Sequence, residues 1–302
     1  MKGHNVKTKL KQLTYASILA ACSVTLVHAA PELEFSGELE ASVKKEKGEG
    51  TQAQIDKVEI GINSKFNETV SADVVLLAED LGTDDEIKIV ETALINFNTG
   101  FGVASVGKFK VPFTSDETNL IEDSVTFLEP IGYGVSFSGD LNGIGYQVYA
   151  ADPAYEDIND IIGSSHASES DLKFGDLMGV SINFPLAENV DLNTSYARMD
   201  GKNGLSASLN AAMGDFGLLL EATDIKDEDK TRHNIEASYN VGFGAVIAAT
   251  QQDGEGDKWN SVGFVADVYE STELKFQYMK KNPKDSSETK TDSVAVQLVY
   301  EF

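Results

Sequence analysis

Residues 58–78 read VEIGINSKFNETVSADVVLLA. Up to Phe66 every second residue is apolar or small: Val58, Ile60, Ile62, Ser64, Phe66. The residues between them are Glu59, Gly61, Asn63 and Lys65. After Asn67-Glu68-Thr69 the alternation resumes at Val70, Ala72, Val74, Leu76 and Ala78. Side chains of a strand alternate between its faces, so each run has one apolar and one polar face. Two such runs joined by a short polar break are a β-hairpin. A run of about ten residues is also the length needed to cross a bilayer as a tilted strand.

The same pattern continues along the chain. Val190, Leu192, Thr194 and Tyr196 share a face, as do Leu205, Ala207, Leu209, Ala211 and Met213, and later Leu274, Phe276 and Tyr278. The connections alternate too. Tight ones fall at 67–69, 98–100, 139–143, 185–189, 214–215, 242–244 and 270–272. Long or charged ones fall at 45–53, 80–86, 112–129, 152–173, 200–203, 226–231, 252–258 and 282–290. Short turns at one end and long loops at the other are how an outer-membrane barrel is built. The predicted fold is an all-β, antiparallel, up-and-down transmembrane barrel of about sixteen strands, without a plug domain. Sixteen strands of about 11 residues use roughly 176 of about 273 residues and leave a mean near 6 for fifteen connections, whereas a plugged 22-strand transporter would need about 220 for its strands alone.

Aromatic residues gather near the tight turns (Phe66, Phe97, Phe101, Phe137, Phe184, Phe216, Tyr239, Phe243, Tyr269), as an interfacial girdle requires. The last strand carries Val294, Val296, Leu298, Tyr300 and Phe302 on one face. A carboxyl-terminal Phe302 in this setting resembles the signal by which barrels are handed to their insertion machinery.

The amino terminus predicts export to the envelope of a Gram-negative cell. Lys2, Lys7, Lys9 and Lys11 precede an apolar stretch from Leu13 to Val27, too short for a permanent span. Val27 and Ala29 suit positions −3 and −1, so residues 1–29 are expected to be removed and the barrel to occupy 30–302. Leu19-Ala20-Ala21-Cys22 offers a rival, lipidated start at Cys22. Either start leaves no thiol for a disulfide within the barrel. With residues 1–29 gone the charge is −29, because four lysines and no acids are lost from a chain of net charge −25. Such a chain cannot neutralise nucleic-acid phosphates. Its expected partners are membrane lipid, lipopolysaccharide and a small solute. A homotrimer suits the class, although no interface patch is legible.

Candidate chemistry is sparse. His166 lies in the longest loop, and His233 shares parity with Ile235 and Ala237, which places it towards lipid. Neither carries the third orienting group that Ser–His or Asp–His hydrolysis needs. The acid-rich stretches 80–86 and 253–257 lack the spacing of a Ca²⁺ hand and read as solvated loops. No cofactor or metal is expected. A barrel hydrolase is thus the minor alternative to a channel.

The informative segment is GKFKVPF at 107–113, which opens the third long connection. A barrel of sixteen strands leaves an aqueous channel, and this connection, near 112–129, is expected to fold inward and narrow it. Parity opposes Lys108 and Lys110 to Phe109 and Val111, which predicts both lysines inside. They would face Asp116, Glu117, Glu122 and Asp123 across the constriction, with Lys57 and Lys275 as inward companions on other strands. Charged rings of this kind set solute selectivity. The lysines then form either a basic step for anionic solute or mere counter-charges for Glu59, Glu91 and the loop acids.

Four stretches, LEFSGELEAS (33–42), VEIGINSKFNETVSADVVLLAED (58–80), VETALINF (90–97) and VGKFKVPFTSDETNLIEDSVTFLEP (106–130), resemble the LbtU-type siderophore porins. The resemblance covers the first half of the barrel, and its sharpest element is GKFKVPF followed by Glu117-Thr118-Asn119. It implies passage of iron–siderophore complexes without a plugged, energy-coupled transporter. The alternative is a general, cation-preferring diffusion porin.

Overall fold

The computed structural model describes residues 31–81, 90–114, 118–122, 128, 130–153, 174–199, 201–226, 231–285 and 289–302. The chain divides into Met1–Pro31 and a compact unit, Glu32–Phe302, and it is the second that is described below. The proposed export signal, with Cys22, lies outside the described residues, as do Asp116, Glu117, Asp123 and His166.

The strands in chain order are β1 Glu32–Glu46, β2 Thr51–Lys65, β3 Val70–Leu81, β4 Thr92–Asn98, β5 Val103–Lys110 and β6 Ile131–Leu141. They continue with β7 Ile144–Pro153, β8 Leu177–Ala187, β9 Val190–Met199, β10 Lys202–Met213 and β11 Phe216–Ile225. The last are β12 Arg232–Asn240, β13 Ala245–Gln252, β14 Lys258–Tyr269, β15 Thr272–Asn282 and β16 Thr291–Glu301. Each pairs antiparallel with its chain neighbours, and β1 pairs with β16, so sixteen strands close into a barrel. Closure removes the unpaired sheet edges that would otherwise be stranded in hydrocarbon. At the seam the backbone of Gly37 exchanges hydrogen bonds with that of Phe302, at 2.9 and 3.0 Å. The Phe302 ring lies where a Cβ on Gly37 would be.

The seven tight connections are real turns. In the β6–β7 hairpin Asn142 and Gly143 take φ of 56° and 86°, the left-handed pair of a type I′ turn, whose twist matches that of the strands. The ninth connection, expected among the longer ones, is only residues 200–201, because β10 already begins at Lys202. Among the long loops, 253–257 and the start of 283–290 are clasped together. Asp257 pairs with Lys281 at 2.8 Å and accepts the backbone N–H of Lys284 at 2.9 Å. These contacts, the Lys281 ammonium foremost, hold the Asp257 carboxyl below the ordinary carboxylate range. With long loops outside, a cysteine at the exposed Glu255 should react with an impermeant maleimide on whole cells and one at Asn67 should not. The reverse pattern would invert the topology.

Burial is inside out relative to a soluble protein. The exposed large apolar residues, including Phe35, Leu39, Ile60, Val135, Val148, Leu205, Val262 and Leu298, lie in phase on the outer faces of their strands. An apolar belt of that extent is stable only against lipid. The aromatic ends of the belt, among them Phe66, Phe101, Phe243 and Tyr269, are exposed beside the tight turns. The described apolar core is inside the barrel. Phe109, Val111 and Phe113 pack with Tyr149, Ala151, Leu177, Ala197, Met199 and Ile225.

Candidate functional site: the constriction inside the barrel

The third long connection, between β5 and β6, lies along the inner wall. Its two ends are zipped together: Val111 N donates to Pro130 O at 2.8 Å, and Thr114 and Leu128 exchange hydrogen bonds at 2.9 and 2.8 Å. The Phe113 ring fills the space over Gly204 on β10, where any Cβ would collide with it, and the Ser195 hydroxyl donates to Phe113 O. Burying that ring is worth about 1.5–3 kcal/mol, so the apolar half of GKFKVPF serves to seat the loop.

Further along, the loop is held by two buried polar side chains of the wall. Glu236 on β12, 2% exposed, accepts from the Thr118 hydroxyl, from Asn119 Nδ2 at 2.7 Å and from Asn119 N at 3.3 Å. Gln277 on β15 accepts from the backbone N–H groups of Ile121 and Glu122 at 2.8 and 2.9 Å through Oε1. Leu120 packs between them on Ile247 and Ala249. Lys44 on β1 completes the crossing through an ion pair with Glu122. The loop therefore spans the lumen from β5, past β10, to β1.

Between this strap and the wall of β1–β3, β15 and β16 lies a cavity of about 470 Å³. Its carboxylates are Glu38, Glu40, Asp56, Glu79, Glu91 and Glu122; its cations are Lys44, Lys57, Lys110 and Lys275. A register shift between β1 and β2 leaves Asp56 without a Cα partner on β1, so that Asp56 and Lys57 both line this cavity. A bulge re-aims side chains in this way. The lysines are occupied: Lys57 by Glu38 at 3.3 Å and Glu59 at 3.2 Å, Lys110 by Glu91 at 2.7 Å, Lys44 by Glu122, and Lys275 by Glu273 at 3.9 Å. Glu40 and Asp56 make no ion pair among the described residues. Uncharged donors hold them instead. Gln297 Nε2 donates to Glu40 at 3.0 Å and to Asp56 at 3.1 Å, and Ser42 and Gln54 donate to Asp56 at 2.8 and 2.7 Å. On the other side of the strap a cavity of about 350 Å³ is lined by neutral groups of β8–β10, among them Ser181, Asn183, Asn193 and Ser208. The constriction thus has an ionic side and a neutral side.

The structure corrects one predicted member. Lys108 pairs across with Ala93 and Tyr133, on the outward face of β4 and β6. Its ammonium donates to Val90 O at 2.7 Å and lies 5.7 Å from the centre of the 56%-exposed Tyr133 ring. The inward residue of this pair is Phe109, because the loop needs an apolar seat inside. Lys110, Glu122, Lys57 and Lys275 do line the ionic cavity. His233 pairs with Ala222 on the lipid face. Glu236, Gln277, Glu40 and Asp56 were not singled out from sequence; a lone Glu between Ile235 and Ala237 was the one available hint of an inward anchor.

With the closed barrel, its lipid-facing belt and its internal strap in view, the class is plain: this is an outer-membrane β-barrel with the architecture of the porins. No protein-family model matches the sequence, and no curated protein matches it. Solved structures do. The outer-membrane channel DcaP of Acinetobacter baumannii is similar at a TM-score of 0.67 and 10% identity, covering 92% of this chain and 99% of that one. The anion-selective porin of Comamonas acidovorans is similar at 0.65 and 12%, covering 90% and 100%. A trimer form of OmpT from Vibrio cholerae is similar at 0.59 and 10%, covering 91% and 100%. At such identities the likeness lies in the backbone, and the charge lining the lumen is this chain's own.

Proposed function

We propose that the chain is a passive, non-enzymatic diffusion channel for small polar solutes, with a preference for cations. The observation that carries this is the constriction. Six carboxyl groups against four lysines line its ionic side; the lysines are tied to carboxylates, Asp56 is held by the neutral donors Ser42, Gln54 and Gln297, and Glu40 by Gln297 and the Glu38 carboxyl. A narrow, low-dielectric lumen focuses the field of the few charges that line it. Export through residues 1–29, recognition of Phe302 by the insertion machinery and assembly as a trimer belong to the same reading.

The resemblance to the LbtU-type siderophore porins adds a cargo class, ferric siderophores. It rests on sequence in the first half of the barrel. The basic step that would have favoured anionic complexes is weakened, because Lys108 is outside and Lys110 is bound to Glu91. Liposomes containing the purified protein test both levels. They should swell in small neutral and cationic solutes at rates falling with solute size. Saturable entry of a ferric siderophore, lost in a Lys110→Glu variant, would support that cargo. Swelling by small solutes without siderophore entry would leave the channel and remove the cargo, and no swelling at all would remove the channel.

A further inference from the structure

The neutral cavity on β8–β10 has an order that the ionic side lacks. Ser181, Ser195 and Ser206 are successive cross-strand partners, and Asn183, Asn193 and Ser208 form the next inward row. Strands lie about 4.8 Å apart and inward residues recur about every 6.8 Å along each, so the six side chains make a regular grid. None of the cavity's described lining residues is charged. Part of the grid is satisfied internally: Asn183 Nδ2 donates to Asn193 Oδ1, Ser195 donates to Phe113 O, and the hydroxyls of Ser206 and Thr223 are 3.1 Å apart. Asn183 Oδ1, Asn193 Nδ2 and the neighbouring Ser181 hydroxyl have no hydrogen-bond partner among the described residues. They offer one acceptor, one donor and one group that does both.

The cavity is closed towards the long loops. The inward row on that side is Gly179, Ala197 and Gly204, and a Cβ on either glycine would meet the Tyr149 or the Phe113 ring. Along β9 the inward residues pass from buried Ala197 and Ser195 to half-buried Asn193 and Asp191, so the cavity opens towards the short turns. A pocket with one mouth carries no through-current, and its polar groups are not needed for ion permeation. Facing the grid, Pro112 and Phe113 supply an apolar wall. A sugar ring matches both surfaces, because each hydroxyl donates and accepts while its C–H face is apolar. A volume of about 350 Å³ is at the low end for small-ligand pockets and suits one ring.

We propose that this cavity is a binding subsite for one neutral sugar ring, held by Ser181, Asn183 and Asn193 and covered by Phe113. The proposal deepens the channel reading and rests on it for the arrival of the solute; binding itself is measured without conduction. Saturation-transfer NMR of the purified, detergent-solubilised full barrel, titrated with glucose, tests it. Glucose should bind saturably, and roughly fivefold or more tighter than triethylene glycol, a neutral solute of similar size that is rich in ether oxygens and poor in donors. Each hydrogen bond lost costs about fivefold in affinity, so the Ser181→Ala, Asn183→Ala, Asn193→Ala triple variant should bind glucose roughly tenfold or more weakly. Migration of that variant on a gel as the parent protein, heated and unheated, shows that the barrel is assembled. Asn63→Ala removes an inward amide of β2 that bonds to Asp73 outside the cavity, and should leave glucose binding unchanged. Absence of saturable glucose binding, equal binding by the triple variant, equal binding of triethylene glycol, or an equal loss in Asn63→Ala would each overturn the proposal. Specific glucose binding by a barrel that does not conduct would sustain the subsite and remove the channel reading, whereas conduction without glucose binding would do the reverse.

Discussion

Replacing Glu236 and Gln277 together by Ala should release the strap from the barrel wall, raising single-channel conductance several-fold and adding rapid open-channel noise. The first change removes a carboxylate that accepts from the Thr118 hydroxyl and both nitrogens of Asn119; the second removes the acceptor for two backbone N–H groups. Hydrogen bonds to a charged acceptor contribute about 1.5–3 kcal/mol each, and stranded donors add to the loss. Leu120 then loses the geometry that presses it onto Ile247 and Ala249. Neither wall position faces lipid, so the barrel should still assemble and migrate on a gel, heated and unheated, as the parent protein does. Conductance and noise identical to the parent protein would mean that the strap is held mainly by Phe113 over Gly204, and the double anchor would lose its assigned role.

The second large effect concerns charge. Asp56→Asn should lower the cation-to-anion permeability ratio, because it removes a cavity carboxylate that pairs with no lysine among the described residues. Two changes that look equivalent in the sequence should behave differently. Lys110→Gln frees Glu91 and should strengthen the cation preference, whereas Lys108→Gln lies on the outer surface and should leave it unmoved. Reversal potentials under a salt gradient measure all three. A shift in the Lys108 variant as large as that in the Lys110 variant would place Lys108 back in the lumen.

How far the sequence carries these expectations differs between fold and site. The barrel was legible because a period of two, such as Val58, Ile60 and Ile62 against Glu59, Gly61 and Asn63, is imposed by having lipid on one face and water on the other. Turn chemistry such as Asp140–Gly143 then set the hairpins. The lumen obeys weaker rules. Around Lys108 the assumption that apolar residues face lipid inverts, since Phe109, Val111 and Phe113 are the seat of an internal loop. Alternation says that Lys108 and Phe109 face opposite ways, but only the register with Ala93 and Tyr133 says which is outside. The bulge at Asp56 changes parity within β2, and nothing local marks it. The anchoring of Asn119 by Glu236 joins residues 117 apart, a distance over which no spacing rule operates.

The most direct test of the account is the reversal potential of single channels of the purified protein in a planar bilayer under a tenfold KCl gradient. A water-filled, strap-narrowed barrel with an acid-weighted constriction predicts stepwise, near-ohmic conductance and a reversal potential displaced towards the K⁺ equilibrium value. Absence of conducting steps at any voltage, or displacement towards the Cl⁻ value, would contradict it.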